Sequence, residues 1–445
     1  MEGNPTISLG EHAPTNGVLA PYLPRLARSR PRIEGTLVTD ILVIGGGLTG
    51  VYAAIVAADQ GARVTIAMKG HGGLSLSHGC IDVMDRSAPS RALSLLPDHH
   101  PYKLAGKAHL KDAISKFRDL MQHAGYPFTG KLSKSMSILT ALGTIKRTCF
   151  APSGIARGDL DSGGSIVLGK FLGFRDFYPY IIQKQARKVG VKITKFIDLP
   201  LLEPPNRRDA YSTDYALLFE DSRWREEIIR MWRPLLPGVK RLGLPAVLGF
   251  QNHCQILEEL EDSLGIDIFE IPSLPPSVPG LRIERILLRQ AQVLGVKIIE
   301  GAGVIGRIDG RSRGKRVAGV VLHSTGRTIQ LDADVVLLAT GGILSGGLVA
   351  QQDHRIRESV FDLPVRYPTN RSDWVGLSLF HRQAYAGTGI CVNARMQPLG
   401  LDEKPMFNNL FAAGGLLAGS DRSLEGSRQG IDLATANCAV YEALR

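Results

Sequence analysis

The stretch "TDILVIGGGLTGVYAAIVAADQGARVTIAMKG" (residues 39–70) decides the fold. Its uncharged "ILVI" reads as a buried strand, "LTGVYAAIVAADQG" as a helix ending at Gly61, and "RVTIAM" as a second strand. Together they predict one right-handed βαβ unit. Gly45, Gly47 and Gly50 set the pattern G-x-G-x-x-G between strand and helix. The first glycine permits a tight turn, the second lets backbone approach a phosphate, and the third lets the helix pack close to the strand. The first helical N–H groups, Leu48 and Thr49 among them, then face the anion from the positive end of the helix dipole. The second strand ends unusually. A dinucleotide site places an acid about 18 residues after the last glycine, where it holds a ribose. Met68 stands there, followed by Lys69. A thioether cannot accept two ribose hydroxyls, whereas FMN has no second ribose to hold. The expected ligand is a flavin, with FMN a candidate beside FAD.

Outward from this unit the pattern changes. Residues 1–36 carry Pro5, Pro14, Pro21, Pro24 and Pro31 without hydrophobic periodicity, and read as an extended tail. Between about 85 and 278, "SIVLGKFLGF", "VKITKFI", "AVLGF" and "IDIFEIP" alternate with the helices "YPYIIQKQARKVG" and "QILEELEDSLG". After the proline-rich "PSLPPSVPG" come a helix, "LRIERILLRQAQVLG", and a meander of "VKIIEGAGVIGRI", "KRVAGVVLH" and "RTIQL". A separate buried strand, "ADVVLLATGG", follows, and the chain finishes with "NNLFAAGGLLAGS" and a helix from about Gln429. The fold class expected is α/β. A Rossmann-like flavin-binding domain with parallel sheet and β-meander is formed by 37–84 and 279–445. An inserted α/β substrate or cap domain spans 85–278.

Composition narrows the function. The net charge of +11 is spread through 445 residues without a block of like charge, which argues against nucleic acid. The five cysteines are far apart and form no C-x-x-C, so neither a zinc site nor an iron–sulfur cluster is expected on this chain. The uncharged runs at 41–58 and 335–350 are broken by glycine, and no membrane span is read in them. No signal peptide is read at the start, and a cytoplasmic location is expected.

The cradle, the meander with "VVLLATGG", and the late "NLFAAGG" together resemble the two-domain flavoproteins that include the fumarate reductase and succinate dehydrogenase flavoprotein subunits. That resemblance implies that Thr340 and Gly341 return beside the cradle. It also implies that Gly414 and Gly415 deliver a helix start, near Gly430, to the pyrimidine edge of the flavin. Helix N–H groups there stabilise the negative charge of the reduced ring. Further stretches are more specific: "LSHGCIDVMD" (76–85), "HPYK" (100–103), "ALGTIKRTCFAP" (141–152), "FEIPSLPPSVPGLRIERILLRQ" (269–290) and "ATGGILSGGLVAQQDHRIRESVFDLPV" (339–365). They resemble the B subunit of anaerobic glycerol-3-phosphate dehydrogenase, from about residue 38 to the end. The resemblance implies an FMN flavoprotein that works with an FAD-containing subunit and an iron–sulfur subunit. The complex oxidises sn-glycerol 3-phosphate to dihydroxyacetone phosphate and passes electrons toward membrane quinones. Contact with the membrane would come through a partner subunit. One segment departs: "LEGSRQGIDLA" (424–434) replaces a glycine-rich run, and Arg428 stands either over the flavin edge or in solvent.

Oxidising a secondary alcohol needs a base and cations for the phosphate. Lys146 and Arg147 in "GTIKRT" offer a phosphate grip, and Arg282, opening a helix, offers a second. His78, just past the second strand beside Ser77, is the candidate base or flavin partner, with His253 a weaker candidate of the same kind.

Overall fold

A computed structural model describes residues 38–202, 210–309, 316–324, 326–378 and 381–445. The expected tail lies outside the described residues. The first strand (Val38–Gly46), the helix Leu48–Asp59 and the second strand (Val64–His71) form the expected unit. Residues Leu48–Ala57 of this helix are buried on all sides, which explains its lack of a polar face. Both strands run parallel, Ile41–Ile44 pairing with Val64–Ala67. The order across the sheet is Lys297–Glu300, Val64–His71, Val38–Gly46, Arg327–Leu338, Val317–Ser324 and Gly303–Asp309. The short strand Leu410–Ala412 joins the end of Arg327–Leu338.

The meander differs from the sequence reading in two places. "VKIIEGAGVIGRI" is two strands: Lys297–Glu300 lies parallel to the second strand, and Gly303–Asp309 belongs to the antiparallel meander. Gly301, with φ 67°, turns the chain between them. Conversely, "RTIQL" and "ADVVLL" are one strand, Arg327–Leu338. Its first half pairs antiparallel with Val317–Ser324 and its second half parallel with the first strand. The polar "LDAD", which resembles a break, is where the strand changes partners, with Asp334 exposed.

A second sheet, wholly parallel, has the order Asp267–Ile271, Arg241–Pro245, Ile166–Phe171, Ile193–Leu199. It carries its own apolar core, including Phe171, Phe219 and Trp232. "AVLGF" is not a strand here. The strand is Arg241–Pro245, after which tight backbone bonds such as Val247 N–H to Pro245 O fold the chain back. The helix Pro101–His123, kinked at Gly106, is an addition to the elements read from the sequence. It packs on the final helix, Arg428–Ala443, which in turn packs on Leu48–Asp59. Among the described residues no helix is long and apolar enough to cross a membrane.

Candidate functional site

The fold brings the three glycine-rich segments together. Gly45 takes φ 125°, and a Cβ there would lie 2.2 Å from Ala339 O. A Cβ at Gly50 would lie 2.0 Å from Gly45 O, so the helix start meets the turn only through glycine. Gly47 caps the helix without a side chain, leaving the N–H groups of Leu48, Thr49 and Gly50 without a helical acceptor. Ala339 N–H donates to Ile44 O (2.9 Å), which seats Thr340 and Gly341 beside the turn. From the third segment, Gly414 N–H donates to Thr435 Oγ1 (2.9 Å), and Gly414 lies against Thr49 Oγ1. Thr340 Oγ1 and Gln429 Oε1 are buried without a hydrogen-bond partner. Open N–H groups at a helix start suit a flavin phosphate, and the orphaned oxygens suit the polar edge of a flavin.

Met68 packs against the glycine turn. Its Sδ would lie 2.8 Å from a Cβ at Gly46, and its side chain is buried beneath the glycine turn, whereas Lys69 is exposed. The second strand then shifts register so that His71 pairs with Gly46, and a Cβ at Gly72 would lie 2.3 Å from Gly47 Cα. The backbone at 71–72 therefore covers one flank of the turn, with His71 Nδ1 2.9 Å from Glu284 Oε1 beside it.

Two of the four catalytic candidates converge on a residue that sequence reading missed. Asp82 Oδ2 lies 2.7 Å from Lys146 Nζ and 3.1 Å from His78 Nε2. Cys80 N–H donates to His78 Nδ1 (3.1 Å), so the proton of the neutral ring sits on Nε2 and points at Asp82. Both ring nitrogens are engaged, which makes His78 a donor in this geometry rather than an open base. Burial raises the Asp82 carboxyl, but the hydrogen bond from His78 and the charge and hydrogen bond of Lys146 together outweigh it and hold it below its ordinary range. Asp82 Oδ1 remains buried and unpartnered. The Asp82 carbonyl also accepts the N–H of Gly430 at the start of the final helix (2.9 Å). The i, i+4 spacing of His78 and Asp82 is the only signal of this pairing in the sequence.

The other candidates stand elsewhere. Arg147 is exposed and lies 3.8 Å from Asp85. Ser77 builds a turn, its Oγ accepting Gly79 N–H (3.2 Å). Arg428, expected either over the flavin edge or in solvent, is exposed and bonded to Ser423 Oγ (2.6 Å). Arg422 lies closer to the late glycine segment: its guanidinium lies over Gly415 and reaches Asp432 Oδ1 (2.7 Å). Arg282 cannot grip a phosphate. Its side chain and that of Glu270 are both 0% exposed, and its donors are spent on Glu270 (2.6 and 3.0 Å) and Gly249 O (2.7 Å).

His253 belongs to the same buried cluster, not to a site. Its Nδ1–H donates to Leu248 O (2.9 Å), and burial followed by the charge of Arg282 pushes its pKa down to about 4. A depressed folded pKa contributes stability that is present above the unfolded value near 6.5 and lost as pH falls toward 4. We expect urea unfolding to show a loss of about 3 kcal/mol across that window. The same titration of His253→Gln should lack that component; an unchanged slope would assign it to other groups.

A cavity of about 400 Å³ is lined by Arg366, Arg382, Thr388, Ser420, Asp421 and Glu425. Thr388 Oγ1 and Ser420 Oγ are buried there without partners. Glu425 links the cavity to the Asp82 segment, its carbonyl accepting Asp85 N–H (2.7 Å). A larger groove of about 770 Å³ runs along the helix Leu48–Asp59, lined by its Tyr52, Ile55, Val56 and Asp59.

These features define a flavin-binding protein, and the comparisons agree. The model of the FAD binding domain family matches residues 40–428, and the chain belongs to that family of flavin-dependent oxidoreductases. Within it, the B subunit of anaerobic glycerol-3-phosphate dehydrogenase from Pectobacterium atrosepticum is 30% identical over 91% of this chain and 98% of its own. A probable B subunit of the same enzyme from Halobacterium salinarum is 29% identical, with the same two coverages. The chain is a member of this family of anaerobic glycerol-3-phosphate dehydrogenase B subunits. A solved 3-ketosteroid-Δ4-(5α)-dehydrogenase from Rhodococcus jostii is 13% identical over 94% of this chain and 99% of its own, at TM-score 0.37.

Proposed function

We propose that this chain is the flavoprotein subunit of an anaerobic glycerol-3-phosphate dehydrogenase complex. It oxidises sn-glycerol 3-phosphate to dihydroxyacetone phosphate, and the electrons leave through an FAD-containing subunit and an iron–sulfur subunit toward a quinone. The observation that carries this reading is the juxtaposition of a flavin cradle with the His78–Asp82–Lys146 cluster at the start of the final helix. When bound, the flavin supplies the two-electron acceptor. Arg366 and Arg382 hold the substrate phosphate at the rim of the 400 Å³ cavity, with Thr388 and Ser420 donating from its wall. Asp82 Oδ1, the open acceptor of the cluster, orients the hydroxyl and hands its proton on to water, since Lys146 and His78 keep the carboxylate charged.

FMN is the cofactor we assign. The absence of an acid at Met68 and the backbone of Gly72 against Gly47 both support a ligand that ends at its phosphate. Acid extraction followed by chromatography should release FMN; release of FAD would overturn this assignment. Under anaerobic conditions glycerol 3-phosphate should bleach the bound flavin of the purified subunit. The engaged nitrogens of His78 support a second reading, in which this flavin only relays electrons. A relay would stay yellow until the partner flavoprotein is added.

A further inference from the structure

Residues 170–195 hold seven Lys or Arg and a single acid, Asp176, a local excess of six within a chain whose total is eleven. The helix Pro179–Lys188 at the centre of this segment buries Pro179, Ile182 and Ala186 against the second sheet. Tyr180, Ile181, Lys184, Arg187 and Lys188 fall on the opposite side, within an arc of about 120° at 3.6 residues per turn. That outer face carries large apolar groups at one end and cations at the other. Tyr178 is 50% exposed, Tyr180 63% and Ile181 43%. Gly143 packs on Ile182 and Gln185 of the same helix, which sets the adjoining Leu142, 55% exposed, on its flank. Among the described residues no carboxylate pairs with Lys184, Arg187, Lys188, Lys192 or Lys195.

We propose that this face is a contact surface for an anionic lipid bilayer. Its composition decides between a membrane and an acidic protein. Lysine is depleted from the cores of protein interfaces, whereas clusters of four to eight Lys and Arg mark anionic lipid surfaces. Tyrosine rings settle at the headgroup level, with the aliphatic tips of Ile181 and Leu142 shallowly inserted and the lysine stems lying along the interface. The contact is peripheral, since the apolar side of the helix is already used by the second sheet. It also reaches the candidate site. The hairpin of Met136–Leu139 and Ile145–Thr148 has its tip, Leu142–Gly143, at this surface, and its returning strand holds Lys146 on Asp82. Lipid contact thus places the site one hairpin from the bilayer that contains the electron acceptor of the proposed complex.

The test is co-sedimentation of the full-length chain with vesicles of phosphatidylcholine alone, or with about one third phosphatidylglycerol. We expect pelleting with the anionic vesicles only, weakened at about 0.5 M salt, where charges are screened within a few ångströms. The variant Lys184→Glu/Arg187→Glu/Lys188→Glu should lose at least about a hundredfold in partition. Tyr180→Ser/Ile181→Ser should lose the fraction that resists salt. Both variants change exposed side chains and should melt with the parent. Equal binding to both vesicles, binding to neither, or an unaffected triple variant would overturn the proposal. So would a triple variant that still binds vesicles but no longer assembles with purified partner subunits in lipid-free solution.

Discussion

Asp82→Asn is expected to lower turnover about 100- to 1,000-fold while the flavin stays bound, the magnitude typical of losing a positioned proton acceptor. The amide keeps the shape of the carboxylate and removes its charge. Lys146, 2.7 Å away, then has no counter-ion, and with the amide oxygen turned to Lys146 and His78 the open Oδ1 position becomes an NH2 that cannot accept. The loss should fall on kcat rather than KM, because the proposed phosphate grip at Arg366 and Arg382 is untouched. It should also appear only when glycerol 3-phosphate is the donor. Chemical reduction of the bound flavin by dithionite should proceed as in the parent. A kcat within a few-fold of the parent would remove the cluster from the chemistry and leave it a structural contact.

Arg282→Met should destabilise the protein by about 3–5 kcal/mol, because it leaves the Glu270 carboxylate buried with no cation. The pair sits between the two apolar cores. Arg282 is on the helix Val278–Val293, whose Ile283 and Leu287 belong to the first core, and Glu270 ends a strand of the second sheet. Tyr126 stacks on the guanidinium, 5.6 Å from its ring centroid, and Leu248 N–H donates to Glu270 Oε1 (2.9 Å). Burial alone would push the Glu270 carboxyl up, but Arg282, His253 and the Leu248 N–H together hold it below its ordinary range. The double variant Glu270→Gln/Arg282→Met should recover part of the loss, since neither group then carries a buried charge. Denaturant unfolding of the four proteins measures the coupling. A single variant as stable as the parent would show that water reaches the pair and solvates the remaining charge.

The glycine turn is legible because its constraint is local. Gly45, Gly47 and Gly50 are dictated by backbone sterics within one strand–helix corner, and Met68 is read by counting from them. The long strand Arg327–Leu338 is harder, because its polar "LDAD" mimics a turn unless both partner strands are known. Charged side chains are the least legible. Arg282 opens a helix beside a proline-rich turn, the position of a reasonable phosphate ligand, yet a glutamate 12 residues away claims it. Arg428 stands where a small residue is expected but points to solvent, whereas Arg422, six residues earlier, lies on the Gly415 backbone. His78 and Lys146 are far apart in the chain, and only folding shows that Asp82 is where they meet.

By itself the sequence determined the βαβ unit, the flavin class of its ligand, and the family, since each depends on neighbours along the chain or on ordered motifs. Only the tertiary structure decided which cations are free. A charge's role depends on the dielectric around it and on the carboxylate it meets, and those are set by strands and helices that are distant in the chain.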